Sequence, residues 1–155
     1  MAFAEELERT FNPRIAEALA KATLAAPFPS SLGIQVAAQR PGFIDCRIAI
    51  DPKHMNGIGL VHGGVLTGLL DHALSIVVYP HVEVGKWVAT LDLKVSYIAP
   101  VRAGVLVAEA RITSLRKRIA TVRIDVTNAK SEGAEAELVA TAMGTVYIKD
   151  PPPAK

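Results

Sequence analysis

Asn56-Gly-Ile-Gly-Leu-Val-His62-Gly63-Gly64-Val-Leu-Thr67-Gly-Leu-Leu-Asp71 is the stretch on which the fold turns. It sets an Asn, a His and a glycine pair directly before an apolar helical run from about Gly63 to Tyr79, stopped by Pro80. Amides of a first helical turn have no intrahelical acceptor and lie at the positive end of the helix dipole. A glycine pair there lets a ligand come close to the backbone. The helix start is thus a candidate oxyanion-stabilising site, and Asp71 a candidate base or nucleophile in the same element.

Within this helix Val65, Leu66, Leu69, Leu70, Ala73, Leu74, Ile76 and Val77 cover about half the circumference at a period of roughly 3.6 residues. Thr67, Asp71 and Ser75 form an i, i+4, i+8 row on the other side, flanked by Gly68 and His72. A solvated helix face is the plain reading of such a row. Its small residues, without Lys, Arg or Glu, favour close packing by another chain, a ligand or both. His62 precedes Asp71 by nine residues, which puts them on opposite sides of one helix and about 13 Å apart along its axis. If the two act together, they come from different protomers, and a two-fold dimer would supply two equal sites.

Working outward, residues 3–25 read as an amphipathic helix interrupted at Pro13 and ended by Pro27 and Pro29. Residues 33–39 and 43–50 read as strands joined by the turn Arg40-Pro41-Gly42, and 51–61 as a loop. After a polar turn at Glu83–Lys86, residues 87–98, 105–114, 119–128 and 136–148 read as strands, the first with regular half-buried alternation. Pro151-Pro152-Pro153 reads as an extended tail. Short connections predict an antiparallel sheet, and one open sheet needs a helix over its apolar face. The expected architecture is α+β, with five to six strands wrapped on a long central helix. The expected organisation is an N-terminal helical extension over 1–29, one domain over 30–150 and a tail over 151–155.

Composition narrows the function classes. Half of the 155 residues are hydrophobic, enough for a packed core. A net charge of +2 with 5% aromatics does not read as a nucleic-acid binder. The single Cys46 excludes an internal disulfide and any Cys-based zinc site. His54, His62, His72 and His81 have no metal-ligand spacing, so no metal is expected. The acidic start and the polar residues inside the apolar run predict neither a signal peptide nor a membrane span, and so a cytoplasmic protein.

The motif Asn56, Gly59, His62-Gly63-Gly64 and Asp71 resembles that of the hotdog-fold acyl-CoA thioesterases of the phenylacetic-acid-degradation (PaaI-like) type. Thr90-Leu-Asp92-Leu-Lys94-Val-Ser96-Tyr97-Ile-Ala-Pro100 is similar to the family's following strand, and the resemblance spans roughly residues 30–149. It implies a hotdog fold, a homodimer or homotetramer with sites at the dimer interface, and hydrolysis of an aryl- or fatty acyl-CoA. Coenzyme A enters only as part of the substrate, with no separate cofactor. By position Asp71 resembles the nucleophile or general base, and Gly63 the residue whose N–H polarises the thioester carbonyl. His62 and Asn56 resemble groups that position thioester or water, and Thr90 the hydroxyl that orients them.

The remaining polar residues divide. Gly64, Thr67 and Ser75 are candidate substrate contacts along the helix, with helix packing the alternative for Ser75. Arg116-Lys117-Arg118 reads either as a solvated hairpin turn or as a contact for coenzyme A phosphates. His72 is expected at an interface or the surface, His54 and His81 in loops, and Trp87 and Tyr97 as core or interface aromatics. Rival functions are an acyl-thioester hydratase or dehydratase, a non-catalytic acyl-CoA-binding module and a structural homo-oligomer. The hydratase pattern follows its His with Phe and Pro, whereas Gly-Gly follows here.

Overall fold

The structure, a computed structural model, describes residues 2–131 and 134–151. The expected tail lies outside the described residues apart from Pro151. Elements run in the order α1 (Ala2–Thr10), α2 (Pro13–Ala25), α3 (Pro27–Leu32), β1 (Gln35–Arg40), β2 (Phe43–Ala49), α4 (Gly63–Ile76), β3 (Trp87–Tyr97), β4 (Val105–Leu115), β5 (Ile119–Ala129) and β6 (Glu137–Lys149). The six strands form one sheet in the order β1-β2-β4-β5-β6-β3, every pair antiparallel. The chain crosses from β2 through α4 to β3 on the far side, so β3 has one neighbour and one open edge. This is the hotdog arrangement.

Helix α4 is the core. Leu69, Leu70, Ala73 and Leu74 have no exposed surface and pack on the alternating inward residues of β4, β5 and β6. At Gly144 of β6 a Cβ would stand 2.7 Å from Leu74 Cδ2 and 3.0 Å from the Asp92 carbonyl oxygen, so a bare backbone lets the helix and β3 come this close. The segment Gly63–His81 would pass by length and mean hydropathy, 1.2, as a membrane span. Its apolar side is instead covered by the chain's own sheet.

Several expectations change. Helix α2 ends at Ala25, just before Pro27, as expected, but a further short helix follows it. Proline is accepted in a first turn, where its missing N–H costs nothing, so Pro27 starts α3, which runs to Leu32 rather than stopping at 29. Helix α4 ends at Ile76, and Tyr79–His81 form a separate 3-10 turn around Pro80. The 51–61 segment also contains a 3-10 turn, Pro52–His54, and a bridge from Met55 to Val61.

His54 and His81 are buried structural residues rather than loop residues. His54 accepts the Asp51 N–H on Nδ1 at 3.0 Å, so its Nε2–H donates to the Leu32 carbonyl at 3.0 Å. His81 Nε2 accepts the Gly42 N–H at 3.0 Å, so its Nδ1–H donates to Thr10 Oγ1 at 2.8 Å and ties α1 to the body. Burial lowers the His81 pKa to about 4. His72 is not a free surface group. It is half-buried against α2, where its Nε2–H donates at 3.0 Å to Thr23 Oγ1, which itself donates to Leu19. Burial lowers its pKa, against the opposing field of Asp71.

Candidate active site

The alternation of β3 is broken once. Thr90 pairs with Val146 and Asp92 with Thr145, which leaves Leu91 as an extra, bulged residue. Val88, Thr90, Leu93, Val95 and Tyr97 consequently share the inward face of β6's Val146, Gly144, Ala142 and Ala140. Asp92, Lys94 and Ser96 take the outer face, in keeping with a solvated strand side.

Thr90 therefore meets α4. Its hydroxyl donates to Asp71 Oδ1 at 2.7 Å, and Ser75 Oγ lies 3.5 Å from Thr90 Oγ1. The hydrogen bond fixes the rotamer of a half-buried carboxylate next to the open edge of the sheet. At the other end of β3, Tyr97 clamps the start of α4. Its hydroxyl lies 2.5 Å from Thr67 Oγ1 and 3.2 Å from the Gly63 carbonyl oxygen, which Thr67 Oγ1 also reaches at 3.1 Å. Sequence reasoning assigned Tyr97 to a core or interface. The structure excludes the core, since Tyr97 is 54% exposed with its hydroxyl on the helix start, and no sequence signal marks that contact, because its odd spacing from Thr90 would split the two between the faces of a regular strand. Trp87 is also exposed, with Lys149 Nζ 5.4 Å from its ring centroid.

The helix start is built by capping. His62 is the N-cap, and its Nδ1 accepts the Gly64 N–H at 2.9 Å. That bond uses the Gly64 amide within the chain and leaves only His62 Nε2 free to face a ligand. The Gly63 N–H has no acceptor among the described residues. Asn56 shapes the preceding loop. Its Oδ1 accepts the Ile58 and Leu60 amides at 3.0 and 3.1 Å, and only its Nδ2 remains to reach outward. A cleft of about 360 Å³ opens here, lined by Asn56, Leu60, Gly63, Leu66, Tyr97 and Pro100.

The predicted residues thus form two groups. Asp71, Thr90 and Ser75 make one; Asn56, His62, Gly63, Gly64 and Thr67 with Tyr97 make the other. Gly63 and Asp71 are eight residues apart on one straight helix, about 12 Å along its axis, so one chain does not bring them together. Arg116, Lys117 and Arg118 join neither group. Arg118 pairs with Asp150 at 2.7 Å, and Arg116 and Lys117 border a different cleft of about 310 Å³ with Glu6, His81 and Glu83. Among the described residues no three His, Cys, Asp or Glu side chains converge as metal ligands would.

Comparison with known proteins agrees with this fold. Residues 58–135 match the model of the thioesterase superfamily. The chain is 28% identical over 134 residues to human acyl-coenzyme A thioesterase 13, covering 85% of this chain and 92% of that protein. It superposes on a thioesterase from Haemophilus influenzae with a TM-score of 0.78 and 26% identity, covering 92% of this chain and 94% of the other. With the phenylacetic acid degradation protein PaaI of Thermus thermophilus the TM-score is 0.68 and the identity 30%, over 78% and 97% of the two chains. A hotdog sheet around α4, a family match across the motif-bearing half and these relatives lead to one assignment: the chain belongs to the thioesterase superfamily, as a PaaI-like thioester hydrolase.

Proposed function

We propose that this enzyme hydrolyses an aryl- or fatty acyl-CoA to the free acid and coenzyme A, at a site shared by two protomers. The observation that carries the reading is the Asp71–Thr90 hydrogen bond of 2.7 Å beside an unpaired strand edge. Strand β3 is 11 residues long and, with the residue that follows it, presents Leu91, Tyr97 and Ile98 to solvent. A long apolar edge with free backbone donors and acceptors is a template for pairing with a second chain. Antiparallel pairing of two β3 strands sets the Trp87 end of one against the Tyr97 end of the other. That brings Asp71 of one copy toward the helix start of its neighbour.

In the shared site the free Gly63 N–H donates to the thioester carbonyl oxygen, where negative charge grows as the carbon becomes tetrahedral. Asp71 either takes a proton from the attacking water or attacks the carbonyl itself. In both routes the C–S bond breaks, the thiolate leaves and is protonated, and water supplies the acid's new oxygen. His62 Nε2 and Asn56 Nδ2 are the groups left free to position thioester and water. Arg116 and Lys117, which make no ion pair among the described residues, are the members of the basic run assigned to coenzyme A phosphates.

The test is free-thiol release from a panel of aryl, medium-chain and long-chain acyl-CoAs. Asp71→Ala should lower turnover by roughly a thousandfold or more, as loss of a reacting group does. Asp92→Ala, on the outer face of the same strand, should leave it unchanged. Undiminished thiol release by Asp71→Ala rejects the assignment. Hydration of an enoyl-CoA without thiol release would favour the hydratase reading instead.

A further inference from the structure

The N-terminal helices hold an aromatic ring beside Asp71 that the proposed chemistry does not use. A Cβ on Gly68 would meet Leu32 Cδ1 at 2.8 Å and Phe28 Cζ at 3.2 Å, so the Phe28 ring lies on the bare backbone of α4. Gly68 precedes Asp71 by three residues, less than one turn and about 60° around the helix. Thr90 and Tyr97 reach the Thr67–Asp71–Ser75 row from one flank; Phe28 stands on the other.

The ring is rigidly carried. His72 Nε2–H binds Thr23 Oγ1 on α2, His54 Nε2–H binds the Leu32 carbonyl at the end of α3, and Gly33 closes α3 with a left-handed φ of 70°. Despite this anchoring Phe28 is 61% exposed, and Leu24, four residues back across the α2–α3 junction, is 59% exposed. A fixed aromatic contributes contact area at little entropic cost, which suits a binding wall better than a core.

We propose that Phe28, extended by Leu24, is the wall of the acyl pocket opposite β3. An apolar acyl chain leaving the thioester at Asp71 packs on the exposed side of the Phe28 ring, whose other side covers Gly68. The occupant is the acyl group itself, because the ring stands on Gly68, within one helical turn of the carboxylate that reacts. The inference rests on the thioesterase reading above, and it makes the chain selective for acyl groups of several apolar carbons over acetyl.

The experiment compares kcat/KM for acetyl-CoA, octanoyl-CoA and phenylacetyl-CoA in the wild type, Phe28→Ala, Leu24→Ala and Phe28→Tyr. Both side chains are exposed, so the variants should melt with the wild type. Phe28→Ala should lose about tenfold on the two larger substrates, as lost apolar pocket contacts do, and change little on acetyl-CoA. Leu24→Ala should show a smaller loss on octanoyl-CoA, and Phe28→Tyr should keep the wild-type ratios. An unchanged ratio, or an even drop across all three substrates, overturns the wall. An even drop with a changed oligomeric state by light scattering also overturns it and gives the ring to contact between copies. A wild type that releases thiol from none of the three fails at the thioesterase reading itself, and the wall falls with it.

Discussion

Replacing Gly63 with proline removes the proposed oxyanion donor while keeping the helix. Gly63 is the first residue of α4, where proline is favoured because the N–H has no intrahelical use. The preceding His62 already has φ −64° and ψ 134°, the extended geometry that a residue before proline must adopt. A Cβ at position 63 would meet the Tyr97 ring at 3.4 Å, an ordinary contact at its near limit. Gly63→Pro should therefore fold, with any gain near 0.4–1 kcal/mol from a stiffer unfolded chain. Loss of one oxyanion donor should lower kcat by about 10²–10³, or roughly 2.7–4 kcal/mol. Gly63→Ala keeps the amide and is the control. The assay is thiol release at saturating acyl-CoA with melting curves alongside. Co-refolding Gly63→Pro with Asp71→Ala extends the test. In a mixed two-fold dimer one site carries both changes and the other neither, so roughly a quarter of all sites should regain activity. A folded Gly63→Pro with near wild-type kcat refutes the oxyanion assignment. A mixture that stays dead refutes the placement of Gly63 and Asp71 on different protomers.

Other outcomes follow from single contacts. Thr90→Val removes the hydroxyl that holds Asp71 and should lower kcat by about 10- to 100-fold, the worth of a hydrogen bond to a charged group, with stability little changed. Gly144→Ala forces a methyl against Leu74 and the Asp92 carbonyl and should cost about 1–3 kcal/mol, seen as a lower melting temperature. His81 has its pKa lowered to about 4 in the fold against an ordinary 6.5, so the unfolded chain takes up the proton first. Its contribution is complete above about pH 6.5 and disappears as pH falls toward 4, by up to about 3 kcal/mol. Urea unfolding across that window should show the slope, and His81→Gln should flatten it.

The central helix and its polar row were legible because a 3.6-residue period and a glycine pair leave few alternatives. The Asp71 and Thr90 pairing followed from resemblance, not from spacing. Period-two alternation places Thr90 with Asp92, whereas the bulge at Leu91 breaks that parity, and a bulge has no compositional mark here. Helix α3 was missed because Pro27 and Pro29 were read as breakers when the first turn tolerates them. His54 and His81 read as loop residues and His72 as an interface or surface residue. Their burial depends on acceptors and donors from remote segments, Leu32, Thr23 and Thr10, which local sequence does not encode. The wall at Phe28 was illegible for the same reason: it exists only because Gly68 lets α3 touch α4.

The extra residue in β3 also sets where this strand tolerates changes in length. Thr90 and Tyr97 are seven positions apart, an odd interval that a regular strand would split between its two faces. Deleting Leu91 would shorten the strand yet leave both hydroxyls turned to the helix. Adding or removing a residue between 92 and 96 would swing Tyr97 outward and free the start of α4. Indels one position apart thus have opposite fates, and a natural variant of this chain can vary in length at 91 long before it can do so at 94.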